Sequence, residues 1–204
     1  ISLPLMLACA SQSLMIFMDR VFLGHYSLEA MNVSVAVGMN TALIIFMIVA
    51  LAAISEVLAG QYNGSNQKKL VSRPVWQMIF FSLLCGLFTA PLAFFAKSFF
   101  LSSEILKKSE WYYEIIMFFG PLWGVNAALG GFFVATGQAF IVTKAAVIAN
   151  LINIFLDYLL IFGISRFEGL GLNGAALATV LAQVFQAFFL LKSFLSDKNH
   201  LTFN

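Results

Sequence analysis

An all-α polytopic membrane protein, a bundle of six transmembrane helices, is the fold this sequence predicts. Three observations carry the prediction. The chain is 61% hydrophobic with a mean hydropathy of +0.94, and only 10% of its 204 residues are charged. Soluble domains hold about 45–50% apolar and about 25% charged residues, so the solvent for this surface is lipid. The charges gather between uncharged runs of bilayer length, and acids and amides are the few residues that interrupt those runs.

The runs place helices at about 3–24, 30–58, 74–97, 112–135, 141–164 and 171–192. The first begins without the basic start or cleavage site of a signal peptide and reads as a spanning helix. Pro4 early in that run removes a backbone donor and marks a hinge. Asn63-Gly64-Ser65-Asn66 and then Arg73-Pro74 break the chain after the second run. Gly137 does so after the fourth, and the stretch from Gly163 to Gly171 after the fifth. Short loops predict that sequential helices are antiparallel neighbours. Gly120/Gly124/Ala128 and Gly174/Ala178/Ala182 recur every fourth position, a pattern that lets helix backbones approach closely in lipid. The chain starts inside an apolar run without Met, as a piece cut from a longer one would.

Orientation rests on basic residues. With the N-terminus cytoplasmic, the inner side holds Lys68, Lys69, Arg73, Lys144, Lys192 and Lys198, and the outer side Arg20, Lys97, Lys107, Lys108 and Arg166. The compact Lys68/Lys69/Arg73 cluster decides for that loop being inside. The formal net charge of +2, without a basic patch, gives no reason to expect nucleic acid. Cys9 and Cys85 sit in apolar runs without metal-ligand spacing, and His25 and His200 fall at run ends. An intramembrane enzyme needs clustered acids or a nucleophile beside a histidine, and neither pattern occurs. The reading is of a non-enzyme without cofactors.

Two acids stand where acids are costly. Asp157 interrupts the fifth run and shares a helical face with Asn150 and Asn153. Asp19 lies near the end of the first run beside Arg20, with Gln12 seven residues earlier. An ionisable group at membrane depth costs at least a few kcal/mol and marks an ion or proton pathway. Carboxylate and amide oxygens suit a small hard cation, and a desolvated carboxyl suits a proton. A secondary transporter coupled to H+ or Na+ follows as the expectation. Glu56, near the end of the second run, reads first as interfacial and second as a supporting relay group. Trp111, Tyr112 and Tyr113 read as an interfacial aromatic belt.

At these residues the chain resembles the N-terminal lobe of the MATE (multidrug and toxic compound extrusion) transporters. Pro4, Gln12 and Asp19-Arg20-Val21-Phe22-Leu23-Gly24 are similar to that family's first helix, and Gly60-Gln61-Tyr62-Asn63-Gly64 to its loop after helix two. Asn153 to Asp157 resembles the helix-five cation motif, and Gly174-Ala175-Ala176-Leu177-Ala178-Thr179 the start of helix six. Ala135-Thr136-Gly137-Gln138 departs from the family's basic, glycine-rich pattern after helix four. The resemblance implies that residues 1–204 are one six-helix lobe of a two-lobed, twelve-helix transporter whose C-terminal lobe is absent here. It implies a proton or Na+ site at Asp19, Asn153, Asp157 and Thr179, with Asn126 contributing. It further implies an integral protein of a bacterial inner membrane that exports amphiphilic, mostly cationic drugs by antiport. A flippase for lipid-linked oligosaccharide shares the broad fold. It would carry basic residues facing its cavity, and these spans hold almost none.

Overall fold

The computed structural model describes residues 2–96, 103–164 and 167–196. Lys97, Arg166, Lys198 and His200 lie outside the described residues. Among the described residues, six helical units are long and apolar enough to cross a membrane, one for each expected run.

α1 (Ser2–Tyr26) is unbroken, and α2 (Leu28–Ala52) follows after the single extended residue Ser27. The Ser27 hydroxyl oxygen accepts from Ala30 N–H at 3.4 Å, satisfying one orphan donor and fixing the tight return. The second expected span is divided: α2 ends at Ala52 and α3 (Ile54–Gly64) begins beyond Ala53. Ser55 Oγ donates to Ala128 O at 3.2 Å, and a Cβ on Gly131 would stand 3.0 Å from Glu56 N. That close contact lies in the first turn of α3.

α4 (Ser72–Pro91) runs into a wider turn over Leu92–Ala96. Pro91 lacks a donor and crowds the preceding turn, so the ladder loosens there. The fourth expected span is also two helices, α5 (Ser103–Phe119) and α6 (Pro121–Ala135), broken at Gly120. Pro121 cannot extend α5 but is well placed in the first turn of α6. α7 (Ala139–Phe162) and α8 (Leu172–Phe194) match the fifth and sixth expected runs closely. Between them, β1 (Gly163–Ile164) pairs antiparallel with β2 (Phe167–Glu168), a small departure from an all-helical chain.

Neighbours in sequence are not always neighbours in space. α1 packs chiefly on α7 rather than on α2, and α6 sits centrally against α2, α3, α4 and α8. The largest core joins Val71, Val75, Leu129, Phe132, Leu190 and Phe194, with the Phe132 and Phe194 rings edge-to-face at 4.7 Å. Both small-residue stripes lie at helix contacts. A Cβ on Gly124 would stand 2.5 Å from Ser82 Oγ, and one on Gly174 would stand 2.4 Å from Leu160 O. Ala128, Ala178 and Ala182 are buried. Trp111 is exposed as an interfacial residue would be, but Tyr113 is buried and Tyr112 packs between three core clusters. The aromatic belt therefore reduces to Trp111.

At the exposed rim, Lys108 Nζ donates to Glu29 at the start of α2 and to Glu104 at 3.1 Å. These carboxylates raise the lysine above its ordinary value of 10.5. The contact is solvent-screened and acts as a tether more than as a source of stability.

Because the atom facing Gly174 is backbone, it cannot step aside. Gly174→Ala is expected to lower stability by about 1–3 kcal/mol, read as a fall in the thermal midpoint in detergent. Gly64→Ala, where a Cβ meets nothing within 4 Å, is the matched control and should stay near wild type.

Candidate functional site

The apolar faces of α1 and α7 meet along a seam of polar groups. Thr143, Asn150 and Asp157 recur every seven residues on α7, and this spacing returns to the same helical face. Opposite them on α1 stand Pro4, Ser11 and Asp19. Thr143 Oγ1 donates to Pro4 O at 2.7 Å. One rung on, Asn150 Nδ2 donates to Ser11 Oγ at 2.8 Å, and Ser11 donates in turn to Ala8 O at 2.9 Å. The third rung holds both acids.

Asn153 is its hub. Oriented so that donors meet acceptors, its Nδ2 lies 3.0 Å from Asp19 Oδ1 and 3.2 Å from Asp157 Oδ2. Its Oδ1 then accepts from Thr179 N–H of α8 at 3.3 Å. The Asp19 and Asp157 carboxyls also lie within hydrogen-bond reach of each other. Asn153 and Asp157 are fully buried, and Asp157 Oδ1 has no hydrogen-bond partner among the described residues. A buried carboxylate oxygen without a partner carries a cost of a few kcal/mol unless a proton or cation meets it. Turning the Asn153 amide over would place a third oxygen against the two acids. The same cluster therefore offers either an amide donor to two carboxyls or a convergent set of oxygens.

The structure brings Asp19, Asn153, Asp157 and Thr179 together, although Thr179 reaches Asn153 through its backbone. Its hydroxyl donates to Ala175 O at 2.9 Å. Asn150 lies on the seam, one rung from the acids, with its own Oδ1 unpartnered. Asn126 belongs to a different contact: its Nδ2 donates to Gln183 Oε1 at 2.8 Å, joining α6 to α8. Gln12 Nε2 meets only Met15 Sδ, at 4.0 Å. Glu56 is exposed on α3, and Pro4 sits in the first turn of α1 with its carbonyl held by Thr143.

Ser11, Thr143 and Gln183 escaped the sequence reading, and Tyr112 was read only as an interfacial aromatic. Thr143 lies on the same seven-residue lattice as Asp157, and extending that lattice would have found it; Ser11, eight residues before Asp19 on α1, lies on no such repeat. Tyr112, from α5, lies within electrostatic reach of Asp19, Asp157 and Arg20. Gln183 satisfies Asn126, and no pattern in the sequence pairs them.

With this geometry in place, comparison with known proteins is informative. The MatE family model matches residues 4–159. A "Probable multidrug resistance protein NorM" from Thermotoga maritima is 30% identical over 191 residues, covering 90% of this chain and 40% of that protein. The DNA damage-inducible protein F of Escherichia coli is 26% identical over 189 residues, with the same coverage. A multidrug resistance MATE family transporter of the MOP superfamily, solved facing outward, superposes with a TM-score of 0.85 at 20% identity. That superposition covers 98% of this chain and 44% of the solved one. The chain belongs to the MatE family, a family of membrane transporters. It spans about 40% of the length of the curated relatives it matches.

The Ser11–Asn150 rung is testable by a double-mutant cycle on Ser11→Ala and Asn150→Ala. Thermal unfolding in detergent should give a coupling of about 0.5–2 kcal/mol, the range for interhelical hydrogen bonds in membranes. Additive effects would show that the two side chains do not act on each other.

Proposed function

We propose that this chain forms the cation-binding lobe of an antiporter that exports amphiphilic, mostly cationic drugs or toxins in exchange for H+ or Na+. The observation that carries the reading is Asp157, wholly buried, facing Asp19 across one amide, with an oxygen left over. The multidrug resistance names of two matched relatives support the substrate class. The N-terminus is assigned to the cytoplasm of a bacterial inner membrane, with the Lys68/Lys69/Arg73 loop inside.

Charge drives the proposed cycle. Two carboxylates at this separation repel when both are ionised, and lipid gives them no water to screen the repulsion. Binding a proton between them, or Na+ with the Asn153 amide turned oxygen-inward, removes that repulsion and closes the α1–α7 seam. Loss of the cation reopens it, and α1 rebends near Pro4 once the Thr143 bond yields. Thr179 N–H links the same amide to α8, so the state of the site reaches a third helix. For a neutral or zwitterionic substrate, one inward charge supplies about 2.3 kcal/mol per 100 mV. For a monovalent cationic substrate the exchange is electroneutral, and only the ion's concentration ratio drives it, at about 1.4 kcal/mol per tenfold.

The second reading is the oligosaccharide flippase. It rests on the shared fold alone, and the spans supply almost none of the cavity-facing basic residues it calls for.

The test is cationic-dye export by the full-length protein in pump-deficient cells, with proton and sodium gradients collapsed separately. Asp157→Asn should insert normally and export no more dye than cells lacking the protein. Collapse of a single gradient should abolish export and name the ion. Wild-type efflux by Asp157→Asn removes Asp157 from the mechanism. Absence of dye export from well-expressed wild type brings the flippase forward.

A further inference from the structure

The α1–α7 seam is chemically lopsided about the acid pair. The two helices run parallel, since Pro4, Ser11 and Asp19 meet Thr143, Asn150 and Asn153 in the same order. One turn past the acids, at i+4 on each helix, stand Leu23 and Ile161. Both are buried in one apolar cluster with Ala175, and none of the three side chains carries a donor or an acceptor. The rings of Phe22, Tyr158 and Phe162 pack at the same end, 5.7–6.2 Å apart. In the other direction the seam is polar as far as Thr143, and the buried α7 residues between its rungs include the small Ala146 and Ala149.

Two oxygens on this polar side lack partners. Asn150 Oδ1 and Asp157 Oδ1 are both buried, and neither has a hydrogen-bond partner among the described residues. They belong to one face of α7, about 10.5 Å apart along its axis, with the Asn153 amide between them. This chain alone shuts them off from its surface, so no further part of a longer protein reaches them while the helices stay packed. The other end of the Asn150 amide is held: Nδ2 donates to Ser11 Oγ at 2.8 Å, and Ser11 donates onward to Ala8 O. That bond fixes the amide and leaves Oδ1 to accept from something else.

We propose that Asn150 is a relay station for the coupling ion. Its Oδ1 holds water, or Na+ in transit, and the ion reaches and leaves Asp157 along the polar rungs from the Thr143 end, with Leu23 and Ile161 sealing the opposite end. Water suits a buried polar site with several acceptors nearby. A proton leaving Asp157 passes to that water and leaves a carboxylate behind; Na+ exchanges one oxygen ligand for the next. The proposal rests on Asp157 being the coupling-ion site. With the N-terminus assigned to the cytoplasm, the station serves the inner side.

Infrared spectroscopy of the full-length protein in acid buffer tests it. The protonated-carboxyl stretch that Asp157→Asn removes is followed after transfer into heavy water, where its downshift times the exchange of that proton with solvent. Asn150→Leu, similar in size but without polar atoms, should slow the exchange about tenfold, a barrier higher by about 1.4 kcal/mol. Asn150→Ser, which keeps a hydroxyl and leaves room for water, should exchange as wild type does. Loosened packing would speed exchange, so slowing reports the relay and not a structural role. If Asn150→Leu does not fold, Thr143→Val removes the next polar rung and should slow exchange likewise. Unslowed exchange in the apolar variant overturns the proposal, as does the lack of any band that Asp157→Asn removes. Dye export separates the two readings. Export retained by Asp157→Asn overturns the antiport reading and this proposal with it, whereas export lost there with unslowed exchange in Asn150→Leu overturns this proposal alone.

Discussion

Everything in this lobe is arranged around the difficulty of keeping two carboxyl groups inside a membrane. In water Asp19 and Asp157 would be solvated separately; in lipid each must find its partners within the protein. Asn153 supplies most of them, and the rest of the α1–α7 seam repeats the same solution with weaker groups. That requirement explains why the first helix leaves its sequence neighbour and packs on the fifth span. A stripe of amides and hydroxyls on α7 can be buried only against another polar stripe, and α1 carries one.

The sequence showed the spans because bilayer length and hydropathy are additive over many residues. It did not show the breaks at Ala53 and Gly120. A hydropathy window sees the same apolar total whether one helix or two cross it, and only Pro121 gave a local signal. The acid cluster was legible for a related reason. Asn150, Asn153 and Asp157 share one helical face, and periodicity reports faces directly. It does not report which partner helix meets them, and so Gln12 stood out while Ser11 made the bond. Amides at membrane depth look alike in sequence, yet Asn126 serves the α6–α8 contact and Asn153 the acids. Tyr112 was misread for a third reason: aromatics at a span end fit the interfacial belt and a buried wedge equally well.

The bundle also shows how small residues and polar groups divide the work of association. Gly174 brings α8 against the backbone of α7, and Gly124 lets the Ser82 and Ile48 side chains seat against α6. Ser55 and Asn126 add hydrogen bonds across α6, the central helix. With no hydrophobic drive between helices in lipid, these contacts replace the core-forming force of a soluble protein.

The return at Ser27 has a mechanical consequence. With one extended residue between α1 and α2, there is no slack to absorb a displacement of the first helix. A tilt of the Tyr26 end must carry Leu28 and Glu29 with it, and Glu29 is strapped to α5 through Lys108. α5 in turn carries Tyr112 back to the neighbourhood of the two acids. The chain therefore closes a kinematic loop, in which a shift at the buried pair and a shift at the exposed rim are two ends of one linkage.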